Sequence, residues 1–322
     1  MIFKNMLPAK LNPLPAWRRA WIVVLELALG LPLGVWAAGE QSFSSPEDAI
    51  SALVAAARNN DTNAIHLIFG PVGHALISPD VVQATDEFKM FVQRLTEKTQ
   101  LIRNSESNAT LELGTDGWPF PIPLVKQGAE WNFDTAAGAE EILARRVGRD
   151  EMGAINVCHA YVDAQHEYAS QDRMADGVLA YAQFLRSTPG THDGLFWPAD
   201  QPGGTGVSPL GPLVAQARGE GYQHTAKMLN DEQAPYHGYY FKILTRQGRH
   251  APGGKYNYLI NGRMMAGFAL VAWPAAWGNT GVMTFVVSQQ DKVYQKNLAA
   301  KTVKTAEAMT TYDPDDSWTP VQ

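Results

Sequence analysis

Apolar residues recur every three or four positions through three successive segments of the early chain, and each segment predicts a helix. The first helix begins at the capping signal Ser45-Pro46, where a side-chain oxygen and a proline suit a helix start. The second spans Thr62 to Phe69 behind Asn59-Asn60-Asp61, and the third runs from Asp86 to about Thr96. The pattern therefore predicts a helical layer at the start of the fold.

After this layer the apolar period changes to two, which predicts antiparallel strands. Two strands are predicted, at Leu101 to Ser105 and at Ala109 to Leu113. A hairpin is predicted in which Trp118 to Val125 pairs with Glu130 to Asp134. Prolines at alternate positions of the Trp118 strand place it at an edge or beside the sheet, because proline cannot donate to a ladder. Helices followed by such a sheet, over Ser44 to Thr135, resemble the cone-shaped domain of the nuclear-transport-factor-two-like class.

A helical period returns from Ala139 to about Gln171 and predicts a long connecting helix. Gly148 and Gly153 predict a bend or break in its middle, since glycine weakens helix interiors. The Gly and Pro content of Asp172 to Pro209 predicts an irregular loop, and Ser208-Pro209 then opens a short helix.

The last part of the chain predicts strands joined by short turns, followed by a helix from about Lys301 to Thr310. The strands are expected at Tyr236 to Thr245, Tyr256 to Ile260, Met264 to Trp273, Val282 to Ser288 and Val293 to Leu298. A long helix, a loop and an antiparallel meander resemble the globular half of pseudopilins. The predicted fold class is α+β, with a cone-like domain over 39–138, a connecting helix over 139–171 and a pseudopilin-like domain over 172–322.

Residues 1–38 have the character of an export leader, with a basic start, an apolar stretch and small residues around Val35-Trp36-Ala37. A retained membrane anchor is the alternative, but Glu26 and the Gly and Pro breaks interrupt the roughly 20 apolar residues that a span needs. A prepilin-type leader is rejected because Trp21 stands where that class has glycine. The segment predicts a cleaved signal peptide, a periplasmic or secreted protein, and no stable membrane span afterwards.

Charge and cysteine content narrow the function classes. The chain has 26 Lys and Arg against 32 Asp and Glu, a net charge of −6, which argues against a nucleic-acid partner. Cys158 is the single cysteine among 322 residues, so no intramolecular disulfide can form, and a buried structural role is expected for it.

Two aromatic segments are the candidate binding surfaces. The candidate residues are Trp118, Phe120, Tyr236, His237 and Tyr239. Core packing is the alternative role for both segments. His237 in an aromatic pocket, or acidic residues of the Thr191 to Asp200 loop, are the candidates for hydrolytic chemistry, since the chain has no Gly-x-Ser-x-Gly motif.

Two spacings are compatible with metal binding. His159, Asp163 and His166 fall on one helix face, although a solvated face is the simpler interpretation. Asp172 and Asp176 occupy the first and fifth positions of a calcium-loop pattern, which Met174 and Gln183 make incomplete. The alternative is a turn capped by Asp172 ahead of a short helix over 178–186, and no cofactor other than calcium is expected.

Several longer motifs point to one family. They are Gly117-Trp118-Pro119-Phe120-Pro121-Ile122-Pro123, Trp131 to Gly138, Glu141 to Arg146, Pro235 to Tyr240 and Val282 to Phe285. Together they resemble the exported bacterial family known as domain of unknown function 2950. The resemblance implies a cell-envelope protein and supplies no catalytic residues. We expect a noncatalytic binding or assembly protein whose partner is an envelope protein or polymer, with an envelope hydrolase as the alternative.

Overall fold

The computed structural model describes residues 40–198, 207–222 and 235–321. The predicted leader lies outside these residues. The division into domains stays a prediction.

Helices form where the sequence places capping residues and apolar stripes. The helices are α1 (Pro46–Arg58), α2 (Thr62–Phe69), α3 (Val81–Glu97), α4 (Thr135–Ala169), α5 (Gly211–Gly219) and α6 (Thr302–Ala308), with short 3-10 turns at Pro71–Leu76 and Ala299–Lys301. Ser45 and Asp61 cap α1 and α2 as expected. The third helix was predicted to begin at Asp86 but begins at Val81, because the buried Asp80 accepts hydrogen bonds from the backbone N–H groups of Val82 and Gln83.

The first sheet is antiparallel and follows the helical layer. Its strands are β1 (Thr99–Arg103), β2 (Asn108–Leu113), β3 (Trp118–Pro119), β4 (Leu124–Gln127) and β5 (Glu130–Phe133). The order is β1-β2-β4-β5, with β3 paired to β2. The single strand predicted over 118–125 is therefore wrong. The ladder is interrupted between β3 and β4, where Pro121 and Pro123 have no N–H to donate.

Helix α4 is continuous over 35 residues, so the expected break at Gly148 and Gly153 is wrong, while the expected bend stays a prediction. Gly153 faces His237, whose Cβ would lie 3.5 Å from an added methyl group, so tertiary packing holds this part of the helix. The low helix propensity of glycine predicted a weak point in the helix, but tertiary packing keeps the helix continuous there.

The stretch 172–209, expected to lack regular structure, contains the parallel pair β6 (Phe184–Arg186) and β7 (Gly194–Phe196). The alternative helix over 178–186 is also wrong, because β6 occupies its end. Gly194 permits this pairing: an added Cβ would lie 2.4 Å from the carbonyl carbon of Arg186.

The second large sheet is built from the last part of the chain. The strands there are β8 (Tyr239–Leu244), β9 (Arg246–Gln247), β10 (Tyr256–Asn257), β11 (Leu259–Ile260), β12 (Arg263–Met264), β13 (Ala269–Pro274), β14 (Thr284–Ser288), β15 (Tyr294–Lys296), β16 (Thr311–Tyr312) and β17 (Thr319–Pro320). The main sheet has the order β17-β15-β14-β13-β8 and is antiparallel throughout, whereas β16 pairs with β9 in parallel. Every residue of β13 and β14 is buried.

Two large apolar clusters stabilise these layers. One joins α1, α2 and the first sheet around Leu53, Leu111 and Phe133. The other joins α4 to the second sheet around Tyr161, Trp273 and Phe285. The fold class is α+β, as predicted, and no helix within the described residues is long and apolar enough to cross a membrane.

Candidate functional site

A pocket of about 470 Å³ opens beside the first sheet, a size typical of small-molecule sites. Its walls come from α2, the 3-10 turn over 71–76, α3, the segment 118–122 and α4. The helical wall residues follow a helix period on α3, where Ala84, Glu87, Phe88, Phe91 and Arg94 share one face. We call this cavity the apolar pocket.

Aromatic side chains form much of the pocket wall. Phe91 and Phe120 stack with ring centroids 5.5 Å apart, and Phe69 lies 6.1 Å from Phe120. Trp118 is half-buried in the same wall, whereas Phe120 is only 7% exposed and also belongs to the core. Two of the predicted binding residues thus line one cavity.

Arginine side chains are concentrated along one side of the apolar pocket, where each forms an ion pair with a carboxylate. Ile142, Arg145, Arg146 and Arg149 recur at three- and four-residue spacing on α4 and therefore face the cavity together. Arg94 and Arg145 lie over Trp118, with guanidinium carbons 5.4 and 5.5 Å from the ring centroid.

Arg146 is the most buried of these cations, with a side chain only 2% exposed. Its Nη1 donates to Asn279 Oδ1 at 2.9 Å, its Nη2 donates to the carbonyl of Leu76, and its buried Nε has no acceptor. The nearest carboxylate oxygen, on Glu87, is 3.7 Å away and belongs to a group that binds Arg149 at 2.6 Å. Burial lowers the pKa of Arg146 because it disfavours the charged form.

A second group of polar side chains lies behind α3 and α4, and we call it the polar junction. Its members are Asp80, Gln83, Asp150, Glu220, Tyr222, Tyr236 and His237. These residues connect the start of α3, the middle of α4, the end of α5 and the chain entering β8. The junction includes the predicted candidates Tyr236 and His237.

Asp80 is the best-satisfied carboxylate of the polar junction and is 4% exposed. Besides capping α3, it accepts a hydrogen bond from the Tyr222 hydroxyl at 2.8 Å and one from the Gly238 N–H at 3.4 Å. Burial and the acidic neighbours Asp80 and Glu220 raise the pKa of Tyr222, so this hydroxyl stays protonated.

His237 lies in a two-residue turn. Tyr236 and Tyr239 exchange backbone hydrogen bonds of 2.9 and 3.1 Å, and φ is +46° at His237 and +71° at Gly238. Positive φ at both central residues is what a type I′ hairpin turn requires. The His237 Nε2 is 2.9 Å from Glu220 Oε2, and its Nδ1 is 3.5 Å from Gln83 Nε2, so both ring nitrogens have protein partners.

Asp150 is fully buried on the other side of this turn. Its Oδ1 accepts from Gln83 Nε2 at 3.0 Å and from Arg149 Nε at 3.3 Å, whereas its Oδ2 has no partner. Burial raises the pKa of Asp150 to about 6, against the opposing effect of Arg149.

The remaining predicted residues lie apart from both features. Tyr239 is fully buried in the second core, where its hydroxyl donates to the Met283 carbonyl at 2.9 Å. Within residues 191–198, Thr191 Oγ1 donates to Asp193 Oδ1 at 2.7 Å and Asp193 accepts from the Thr188 N–H at 2.7 Å. Residues 199 and 200 lie outside the described chain.

The predicted metal ligands have protein partners. Asp172 accepts from the backbone N–H groups of Met174, Asp176 and Gly177, and Asp176 forms an ion pair with Arg263. Within the described parts of the chain, no group of three or more His, Cys, Asp or Glu side chains is placed to hold a metal ion. Calcium binding at Asp172 and Asp176 stays a prediction.

His159 and His166, predicted to share one helix face with Asp163, have different neighbours. His159 Nδ1 is 2.6 Å from Asp291 Oδ1, and His166 packs edge-on against Phe268, with centroids 5.4 Å apart. Neighbouring Cys158 is fully buried, and burial raises the pKa of its thiol to about 12.

Sequence reasoning missed the arginine face and the acidic half of the polar junction. The signal for the first was present, since 142, 145, 146 and 149 repeat at helical spacing. No comparable signal connects Asp80, Asp150 and Glu220, which are far apart in the chain and meet only through tertiary packing.

Comparisons with known proteins place the chain in one family. A family model described as "Protein of unknown function (DUF2950)" matches residues 40–321. Searches of curated proteins and of solved structures found no match.

Proposed function

Since the chain belongs to the DUF2950 family of proteins of unknown function, we propose a function from its site: noncatalytic binding of an apolar small molecule in the apolar pocket. The observation that carries the proposal is a cavity of about 470 Å³ walled by Phe91, Trp118 and Phe120. Ligand sites are concave and mostly apolar, with a few placed polar groups, and this cavity has that composition.

The place of action follows from the predicted leader. We infer an exported protein of the bacterial envelope, periplasmic or secreted, whose ligand or partner belongs to that compartment. The basic start and apolar stretch of residues 1–38 support this proposal. The likeness of the two halves to cone-like and pseudopilin-like domains is a further proposal about fold, supported by the order of their elements.

An envelope hydrolase centred on His237 is the second candidate. The 2.9 Å contact between His237 and Glu220 favours it, because a base oriented by a carboxylate is a common catalytic arrangement. The partners of both ring nitrogens count against it, since a general base needs a free lone pair facing its substrate. His237→Asn, which keeps a residue tolerant of positive φ, should abolish ester hydrolysis if this candidate is correct.

The binding proposal is tested by filling the cavity. Ala84 lines the pocket on α3 and Thr85, the next residue, is exposed on the same helix. We expect Nile red to bind the wild-type protein with increased fluorescence, and Ala84→Trp to weaken binding by about tenfold or more because the indole occupies the cavity.

Thr85→Trp is the matched control and should bind Nile red like the wild type. Circular dichroism must show the same helix content in both variants. Equal binding by Ala84→Trp and wild type would contradict the proposal, because the dye would then occupy another surface.

A further inference from the structure

The charge of the pocket wall differs from that of the whole protein. The chain carries a net charge of −6, yet the pocket lining has four arginines and one glutamate. Arg94, Arg145 and Arg149 form ion pairs with carboxylates outside the lining, whereas Arg146 has only Glu87, which it shares with Arg149. Apolar cavities do not need cations for their stability. A buried arginine N–H without an acceptor, at the wall of an apolar cavity, indicates a ligand with one anionic end.

Arg146 supplies the specific anion-binding group. Its side chain is buried, its Nε–H has no acceptor, and its hydrogen-bond partners Asn279 and Leu76 are neutral. The free energy cost of a buried charge is high unless a counter-charge is close. Glu87 is 3.7 Å away and is shared with Arg149, which also lies 3.3 Å from Asp150, so the four side chains are neutral as a group when both carboxylates are ionised. Within this group, Arg146 keeps a buried N–H without an acceptor.

Glu87 limits the charge of the ligand. A monoanion supplies the acceptor that the Arg146 Nε–H lacks, whereas a dianion would be repelled more strongly by Glu87. A planar carboxylate matches the fork of a guanidinium and accepts hydrogen bonds from it.

The apolar part of the ligand is indicated by the opposite wall and the mouth. Phe91 and Phe120 provide an aromatic surface, and Ile77 and Met90 line the pocket while 51% and 49% exposed. A flexible alkyl chain would cover these side chains and remove apolar area from water.

We propose that the occupant of the apolar pocket is a free long-chain carboxylate, with its carboxylate at Arg146 and Arg149 and its alkyl chain against Phe91 and Phe120. This inference rests on the proposed binding function and specifies its ligand class. Charge at Arg146 gives the selectivity, and the aromatic wall gives most of the apolar contact.

The test is displacement of Nile red by dodecanoate and by 1-dodecanol, which share a chain and differ in charge. At mildly alkaline pH dodecanoate should displace the dye at about 10- to 100-fold lower concentration, the advantage of a charge-assisted hydrogen bond. Arg149→Gln should reduce this ratio, because Glu87 is then free to neutralise Arg146.

Glu87→Gln should raise the ratio, and a gain of selectivity cannot come from misfolding. Glu97→Gln on the same helix is the control, because Glu97 is exposed and does not line the pocket. If Nile red binds but the two competitors displace it equally, or neither does, the carboxylate proposal is overturned while apolar binding stands. If Nile red does not bind, both proposals fail.

Discussion

The apolar pocket and the polar junction lie on neighbouring faces of α3 and α4 and differ in how their polar groups are satisfied. In the junction, Asp80 accepts four hydrogen bonds and His237 has partners at both ring nitrogens, although the buried Asp150 Oδ2 has none. In the pocket, a buried guanidinium retains a donor without an acceptor beside a cavity of about 470 Å³.

Under the binding proposal, this difference distinguishes a structural site from a binding site. Buried polar groups that satisfy one another stabilise the fold and leave nothing for a ligand to complete. A buried cation without a full set of partners is a reason to expect an anion from outside. The junction looks more like an active site by residue type, with its histidine and carboxylates, but its hydrogen bonding favours a structural role.

The largest expected effect comes from Asp80→Ala. This change removes the α3 cap and the buried acceptor of the Tyr222 hydroxyl, so we expect a loss of roughly 3–5 kcal/mol in the free energy of unfolding. Asp61→Ala removes only the exposed cap of α2 and should cost about 1 kcal/mol. Urea unfolding of both variants measures the difference, and equal losses would show that the junction contributes no more than a cap.

A smaller effect is expected from Gly238→Ala. The added Cβ would lie 2.7 Å from Thr280 Cβ and 2.9 Å from Asp150 Oδ2, whereas at Gly128, also at positive φ, it would meet nothing within 4 Å. Both variants strain the backbone, but only Gly238→Ala crowds the side chains of the junction. We therefore expect Gly238→Ala to lower the free energy of unfolding by about 1–3 kcal/mol more than Gly128→Ala does. Thermal unfolding of the pair tests this, and matching midpoints would mean that the junction is loosely packed.

A third effect is a pH dependence that originates at Asp150. Its folded-state pKa of about 6 lies above its ordinary value of 3.8, so between these values the folded protein binds more protons than the unfolded chain. The contribution of Asp150 to stability is therefore present in full below pH 3.8 and is lost as the pH rises through about 6.

Asp150→Asn should remove this decline, because the amide does not titrate, while Asp163→Asn at an exposed site of α4 should keep it. Unfolding midpoints measured across this pH range compare the two variants. A wild-type decline that persists unchanged in Asp150→Asn would assign the pH dependence to another group.

The sequence predicted most of the first helical layer because its signals are local. Ser45 and Asp61 cap the helices that they precede, and helix α2 has the predicted bounds, Thr62–Phe69. The single strand predicted over 118–125 is wrong for a tertiary reason. Strand β2 pairs with both β3 and β4, and Phe120 to Pro123 lie between these two strands.

The candidate site was predictable only in part. Trp118 and Phe120 stand out by residue type, and they line the pocket. The burial of Arg146 depends on contacts with Leu76 and Asn279, which are 70 and 133 residues away in the chain. No local sequence pattern therefore predicts this burial.

The most direct test of the carboxylate pocket is a crystal structure of the protein with dodecanoate brominated at its methyl end. We predict an anomalous bromine peak within the apolar pocket, and a carboxylate oxygen within hydrogen-bond distance of Arg146 Nε. A bromine peak elsewhere on the protein, or a carboxylate in solvent away from Arg146 and Arg149, would contradict the account.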